Sequence, residues 1–160
     1  MDKIPAAPAN ARIGIRPTKF KAFTTDAALL RSTLAQAPME FAGQAATSAA
    51  SEITLPKPDG TLARFQIEEV ALMEPALAAR YPGIKTYRGR GIDDPRAALH
   101  LDINPQTFHA QVLSPSGTYY IDPYWKHDGR VYMSYAKSDL TANGRKFRCL
   151  VDDSQQDTQA

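Results

Sequence analysis

The stretch "RAALHLDINPQTFHAQVLSPSGTYYIDPYWKHDGRVYMSYAK", Arg96 to Lys137, decides the fold. In "RAALHLDI", Ala97, Leu99, Leu101 and Ile103 fall on one face; in "TFHAQVL", Phe108, Ala110 and Val112 do the same. Strict alternation of this kind is the signature of a strand with one buried face. "GTYYIDPY" and "VYMSYAK" extend the series, with turns at "SPSG" and "KHDG". Successive strands joined by short turns pair antiparallel.

Working outward, "IKTYRG" reads as one more strand. Before it, "SEITLP" and "TLARFQIEEV" flank the turn "KPDG", so a hairpin is expected, with Ala63, Phe65 and Ile67 on one face and Arg64, Gln66 and Glu68 on the other. "RIGIRPTKFKAFT" is extended, since Pro17 excludes a helix interior. Two short helices complete the pattern. Thr25 is positioned to cap "DAALLRSTLAQ", with Asp26 in its first turn, Ala27, Leu30 and Leu34 as its apolar stripe and Pro38 as its end. "EPALAARY" carries Pro75 in its first turn, and Leu77 and Tyr81 meet at four-residue spacing. The expected class is α+β: an antiparallel meander with two short helices packed on one face.

The chain of 160 residues fits one domain. Residues 1–15 read as a flexible lead-in, 16–151 as a single α+β domain and the polar 152–160 as a disordered tail. Hydrophobic residues at 43% and charged residues at 22% place it among globular chains. A formal charge of +2 with no Lys/Arg stripe argues against a nucleic-acid partner. No run of eighteen apolar residues is present, so no membrane span is expected, and "MDKIPAAPANARIG" lacks the apolar core of a signal peptide.

The chemistry-bearing residues are sparse. Of the three histidines, His100, His109 and His127, no pair has helical metal-ligand spacing, and there is no G-x-S-x-G, phosphate loop or C-x-x-C. His100 and His109 fall on the polar faces of adjacent strands. One register sets His109 beside Asp102; a tighter one sets His100 beside His109. The first would make a small hydrolase conceivable, but a solvated cross-strand pair is the simpler reading. His127 belongs to an exposed turn. "GIDDP" and "YIDPY" each place Asp before Pro, which reads as loop architecture. Tyr119, Tyr120, Tyr124, Trp125, Tyr132 and Tyr135 crowd two strands. Core and cross-strand packing is their first reading. An extracellular binding module holding a glycan or host protein on surface aromatics is the alternative.

Cys149, the single cysteine, lies in "KFRCLV" with Phe147 and Val151 on its face. It reads either as a small buried hydrophobe or as a thiolate favoured by Lys146 and Arg148, and so a metal ligand.

One further observation comes from the motifs themselves. "LPKPDGTLARF", "YPGIKTYRGRGIDDP", "FHAQVLSPSGTYYIDPY" and "YMSYAKSDL" resemble the N-terminal propeptide-like region of secreted bacterial zinc metalloproteases of the reprolysin (metzincin) family. The likeness runs from about Arg16 to Leu140. It implies a secreted precursor in which this region precedes a protease domain carrying H-E-x-x-H-x-x-G-x-x-H, a motif absent from this chain. On that likeness the chain is not an enzyme and holds no cofactor. Its partner is the metalloprotease domain of the same precursor, where the zinc resides, and its role is to keep that domain latent or to help it fold. The likeness also gives Cys149 a role, as a ligand to the zinc of the protease domain. Related animal zymogens use a cysteine in a Pro-Lys-x-Cys-Gly-Val-like motif. Lys146, Cys149 and Val151 echo it; Phe147, Arg148 and Leu150 depart from it, with no Pro before and no Gly after.

Overall fold

The computed structural model describes residues 4, 6–9, 11–40 and 51–140. Eight strands form one antiparallel sheet. In chain order they are β1 (Lys21–Thr24), β2 (Ser51–Pro56), β3 (Leu62–Val70), β4 (Lys85–Gly91), β5 (Ala98–Ile103), β6 (Phe108–Ser114), β7 (Gly117–Pro123) and β8 (Val131–Ala136). The spatial order is β1-β8-β7-β6-β5-β4-β3-β2, so the first two strands of the chain sit at opposite edges.

The predicted alternation holds. Ala97, Leu99, Leu101, Ile103, Phe108, Ala110 and Val112 are all buried, as are Phe65 and Ile67 on β3. With Ile53, Leu55, Tyr87, Tyr119, Ile121 and Tyr132 they form one core on the inner face. Each large side chain fully withdrawn from water contributes about 1.5–3 kcal/mol before conformational entropy is subtracted. The turns also behave as composition requires. Gly60 of "KPDG" has φ +86° and Gly117 of "SPSG" has φ +131°, a conformation that favours glycine.

The expected α+β class is overturned: the fold is mainly β, an eight-stranded sheet curled into a half-barrel, with only 14% helix among the described residues. The two helices exist but do not form a layer. The first, α1 (Ala27–Ala35), plants Leu34 in the core at 1% exposure. Its N-cap is Asp26 rather than Thr25, with Oδ1 accepting from the amides of Ala28 and Leu29 at 2.9 and 3.0 Å. Arg31 on the same helix donates to the carbonyls of Asn104 and Pro105, both at 2.8 Å, and so fastens α1 to the β5–β6 turn. The second helix, α2 (Pro75–Arg80), begins at proline as predicted but buries no residue; Leu77 and Tyr81 remain exposed. What seals the inner face is curvature of the sheet, not a helical layer. The curl brings the far ends of the sheet together: a Cβ on Gly60, in the β2–β3 turn, would meet Cε of Lys21 of β1 at 3.2 Å.

The segment preceding β1 is extended, as Pro17 suggested. Ala11, Ile13, Ile15 and Pro17 are half-buried and alternate with exposed Arg12, Gly14, Arg16 and Thr18. One end is tied to the β7–β8 connection by Lys126 N–H donating to the Arg12 carbonyl at 2.8 Å and by an Ile13–Trp125 bridge. The other is tied beyond β8 by Thr18 N–H donating to the Asp139 carbonyl at 2.8 Å. These ties lay the segment along the outer face at β8, where Val131, Met133 and Tyr135 are buried apart from the main core.

Candidate functional site

The outer face of the sheet holds a cluster built from three consecutive strands. The β5–β6 ladder has Ile103 opposite Phe108, which sets His109 opposite Asp102, one of the two registers read from the polar faces. The side chains do not follow that pairing. Asp102 Oδ1 accepts from Thr86 Oγ1 at 2.8 Å, whereas His109 Nδ1 lies 2.6 Å from Asp122 Oδ1 on β7. The second oxygen of Asp122 accepts from the Tyr135 hydroxyl of β8 at 2.5 Å. His109 is about half exposed, and Asp122 and Tyr135 are buried.

Electrostatics follow from this arrangement. The hydrogen bond to Asp122 raises the His109 pKa above its ordinary value, against a smaller opposing effect of burial. Burial, and then the bond to Asp122, push the Tyr135 phenol upward, so it stays protonated and donates. The Asp122 carboxylate selects the Nδ1–H form of His109 and leaves Nε2 as the ring's other nitrogen. Such a carboxylate–imidazole pair has the form of an oriented base. Among the described residues, however, the only hydrogen bond of His109 is to Asp122, and no hydroxyl nucleophile reaches it. The His109–Asp102 hydrolase pair is therefore not assembled.

The other candidates are placed as follows. His100 is exposed on β5, opposite Arg88 and Gln111, and His127 is exposed in its turn with φ 62°. In "GIDDP", Asp93 accepts from the Arg64 side chain at 2.7 Å and from its backbone amide at 3.0 Å, while the Asp94 carbonyl accepts from Ala97 N–H at 2.9 Å. That motif is a turn pinned to β3. "YIDPY" is not a loop: Asp122 is a buried strand residue, and proline spacing gave no hint of it. Most of the aromatic crowd is spent on packing. Tyr119, Trp125, Tyr132 and Tyr135 are buried, Phe108 stacks on Tyr132 at 4.2 Å between centroids, and Tyr120 meets Tyr135 at 5.7 Å with a 34° tilt. Among the described residues no three His, Cys, Asp or Glu side chains cluster as a metal site would require. Cys149, the "KFRCLV" segment and the 152–160 tail lie outside the described residues.

A second feature was not read from the sequence at all. At the end of the half-barrel away from α1, the β2–β3, β4–β5 and β6–β7 turns surround a cavity of about 470 Å³. Its walls include Leu62, Phe65, Val112, Tyr119 and Ala136, and Lys57, Asp59, Arg64 and Asp93 stand among its polar lining. Tyr119 is 7% exposed, and its hydroxyl has no hydrogen-bond partner among the described residues. Burial raises the Tyr119 phenol to about 12, with the Asp59 charge adding to the effect.

Comparison with family models, curated proteins and solved structures finds no match to this chain.

Proposed function

We propose that this chain is the non-catalytic N-terminal propeptide domain of a zinc metalloprotease precursor, holding the protease domain latent or assisting its folding. One observation carries the reading. The motifs on which the likeness rests are the ones that interlock: His109 of "FHAQVL", Asp122 of "YIDPY" and Tyr135 of "YMSYAK" share one cluster, and Arg64 of "LARF" grips Asp93 of "GIDDP". Motif residues engaged with one another specify a rigid sheet that a partner domain can dock against. Both oxygens of Asp122 are committed to that task, which supports a scaffold rather than a reaction centre.

Inhibition by such a domain has two sources. The sheet can cover the protease cleft, and Cys149 can supply a thiolate to the zinc position that a protease keeps for water. Attachment in one chain raises the local concentration of either group to roughly millimolar, so weak contacts suffice until the linker is cut.

The test is a titration of the precursor's separated protease domain with the full chain and with Cys149→Ser. Inhibition by the full chain supports latency. Equal potency of the variant assigns it to surface cover, and loss of potency assigns it to the thiol. A gain in active protease on co-refolding, without inhibition, supports the folding role. Absence of both inhibition and a gain in yield overturns the proposal.

A further inference from the structure

We infer that the extended segment preceding β1 is a docking row for an acidic peptide, itself extended, with carboxylates on alternate residues. This goes beyond the latency reading and does not depend on it.

The division of the cations carries the inference. Among the described residues, Arg64 is held by Asp93, Arg88 by Glu40 and Glu68, Lys85 by Glu69 and Arg130 by Asp128. Lys57 and Arg96 face Asp59 and Asp94, Arg31 and Arg90 donate to backbone carbonyls, and Arg80 lies over the Tyr81 ring. Arg12, Arg16, Lys19, Lys126 and Lys137 have no such partner among the described residues, and all are exposed. These cations share one region. Arg12, Arg16 and Lys19 lie on the segment before β1, and Lys126 and Lys137 lie on the two stretches that fasten it, through Lys126 N–H to the Arg12 carbonyl and Thr18 N–H to the Asp139 carbonyl. The segment "ARIGIRPTKF" itself holds no acid. Of the acids on those stretches, Asp128 is spent on Arg130, which leaves Asp139 against the whole group.

Spacing selects the partner. Arg12, Gly14 and Arg16 alternate outward, and a Cβ on Gly14 would meet Cε of Lys126 at 3.0 Å and Cγ at 3.2 Å. The lysine stem therefore lies across the glycine and places a cation between the two arginines. The row repeats at two residues of extended chain, about 6.6 Å. A second extended chain presents its own alternate side chains at the same interval, so acids at every other residue meet each cation in turn, as opposite charges do across paired strands. The arginine forks suit carboxylates. A single-stranded nucleic acid would also need open rings to stack its bases. The neighbouring aromatics are taken: Phe20 meets Tyr124 at 5.7 Å between centroids, and Tyr124 meets Trp125 at 5.1 Å.

The probe is a fluorescein-labelled peptide of four Glu-Thr repeats, followed by anisotropy as the full chain is added in about 20 mM salt. Saturable one-to-one binding is expected, weakened roughly tenfold at about 150 mM salt, because exposed pairs are screened. Arg12→Gln, Lys126→Gln and Arg16→Gln should each weaken it about two- to fivefold, and the double variant of the two arginines about tenfold. Lys85→Gln removes the same charge from a pair elsewhere and should leave affinity unchanged. A block peptide, four Glu followed by four Thr, carries the same charge without the spacing and should bind at least about threefold more weakly. Absence of saturable binding overturns the row. So does an equal loss in Lys85→Gln, which would mean attraction by net charge alone. Equal affinity for the block peptide overturns the strand-spaced partner, and tighter binding of a heparin hexasaccharide overturns the peptide class.

Discussion

Asp122 Oδ1 receives the Nδ1–H of His109 at 2.6 Å, joining β6 to β7 on the face of the sheet opposite its core. With the Tyr135 hydroxyl on the other oxygen, one buried carboxylate ties three strands together. Asp122→Ala leaves the buried Tyr135 hydroxyl without an acceptor and should cost about 2–4 kcal/mol. Tyr135→Phe should cost about 1–2 kcal/mol, since it strips one bond from a buried carboxylate. Urea unfolding of the two single variants and the double variant should show strong non-additivity.

The same pair makes stability depend on pH. Unfolded, His109 titrates near its ordinary value of 6.5; folded, its value is higher. The pair's contribution is therefore complete below about 6.5 and declines as pH rises through the folded value. Half exposure and solvent screening limit it to about 1 kcal/mol or less. The difference in unfolding free energy between the native chain and His109→Gln should shrink from about pH 6 toward pH 9. A constant difference across that range would show that the pair contributes by packing alone.

Two phenols of similar burial should respond in opposite ways. Removing the Tyr135 hydroxyl is costly, whereas Tyr119→Phe removes a buried hydroxyl with no partner among the described residues. It should leave stability unchanged or raise it by up to about 1 kcal/mol. Thermal melts of the two variants, side by side, check this directly.

The helices differ just as sharply. Leu34→Ala opens a cavity beneath α1 and should destabilise by about 2–4 kcal/mol. Leu77→Ala, on α2, removes a side chain that is 45% exposed and should change stability by less than about 0.5 kcal/mol. Comparable losses at both sites would restore a packed two-helix layer.

Gly91 is the tightest backbone approach in the "GIDDP" turn. A Cβ there would stand 2.2 Å from the Asp94 carbonyl oxygen, which is backbone and cannot swing aside. Gly91→Ala should cost more than about 2 kcal/mol and loosen the Arg64–Asp93 grip. Faster amide exchange at Ala97, whose N–H is bonded to that carbonyl, is the accompanying signal.

Much of the sheet could be read from the residues. Alternation at Ala97–Ile103 and Phe108–Val112 is a local pattern, and the Ile103–Phe108 register follows once two apolar faces must coincide. Pairing of β1 with β8 is not local, so no window of sequence contains it, and the same holds for the curl that stands in place of a helical layer. Amphipathic spacing in "EPALAARY" identified a helix but not whether anything lies beneath it. Asp122 escaped notice because Asp-Pro has a ready meaning in turns, while its partners, 13 residues away on either side, come together only in the folded sheet. The mouth cavity has no linear signature, since its walls come from turns far apart in sequence.

Lys21 finds its ladder partner at Ser134, so the first of the described strands waits for the last of them. At ordinary elongation rates more than a hundred intervening residues take roughly 5–20 s to appear. Throughout that interval β1 is without its ladder partner, and completion of the sheet is deferred until synthesis has passed Ala136. A product truncated anywhere short of β8 would keep that strand orphaned, sticky and open to pairing with its neighbours.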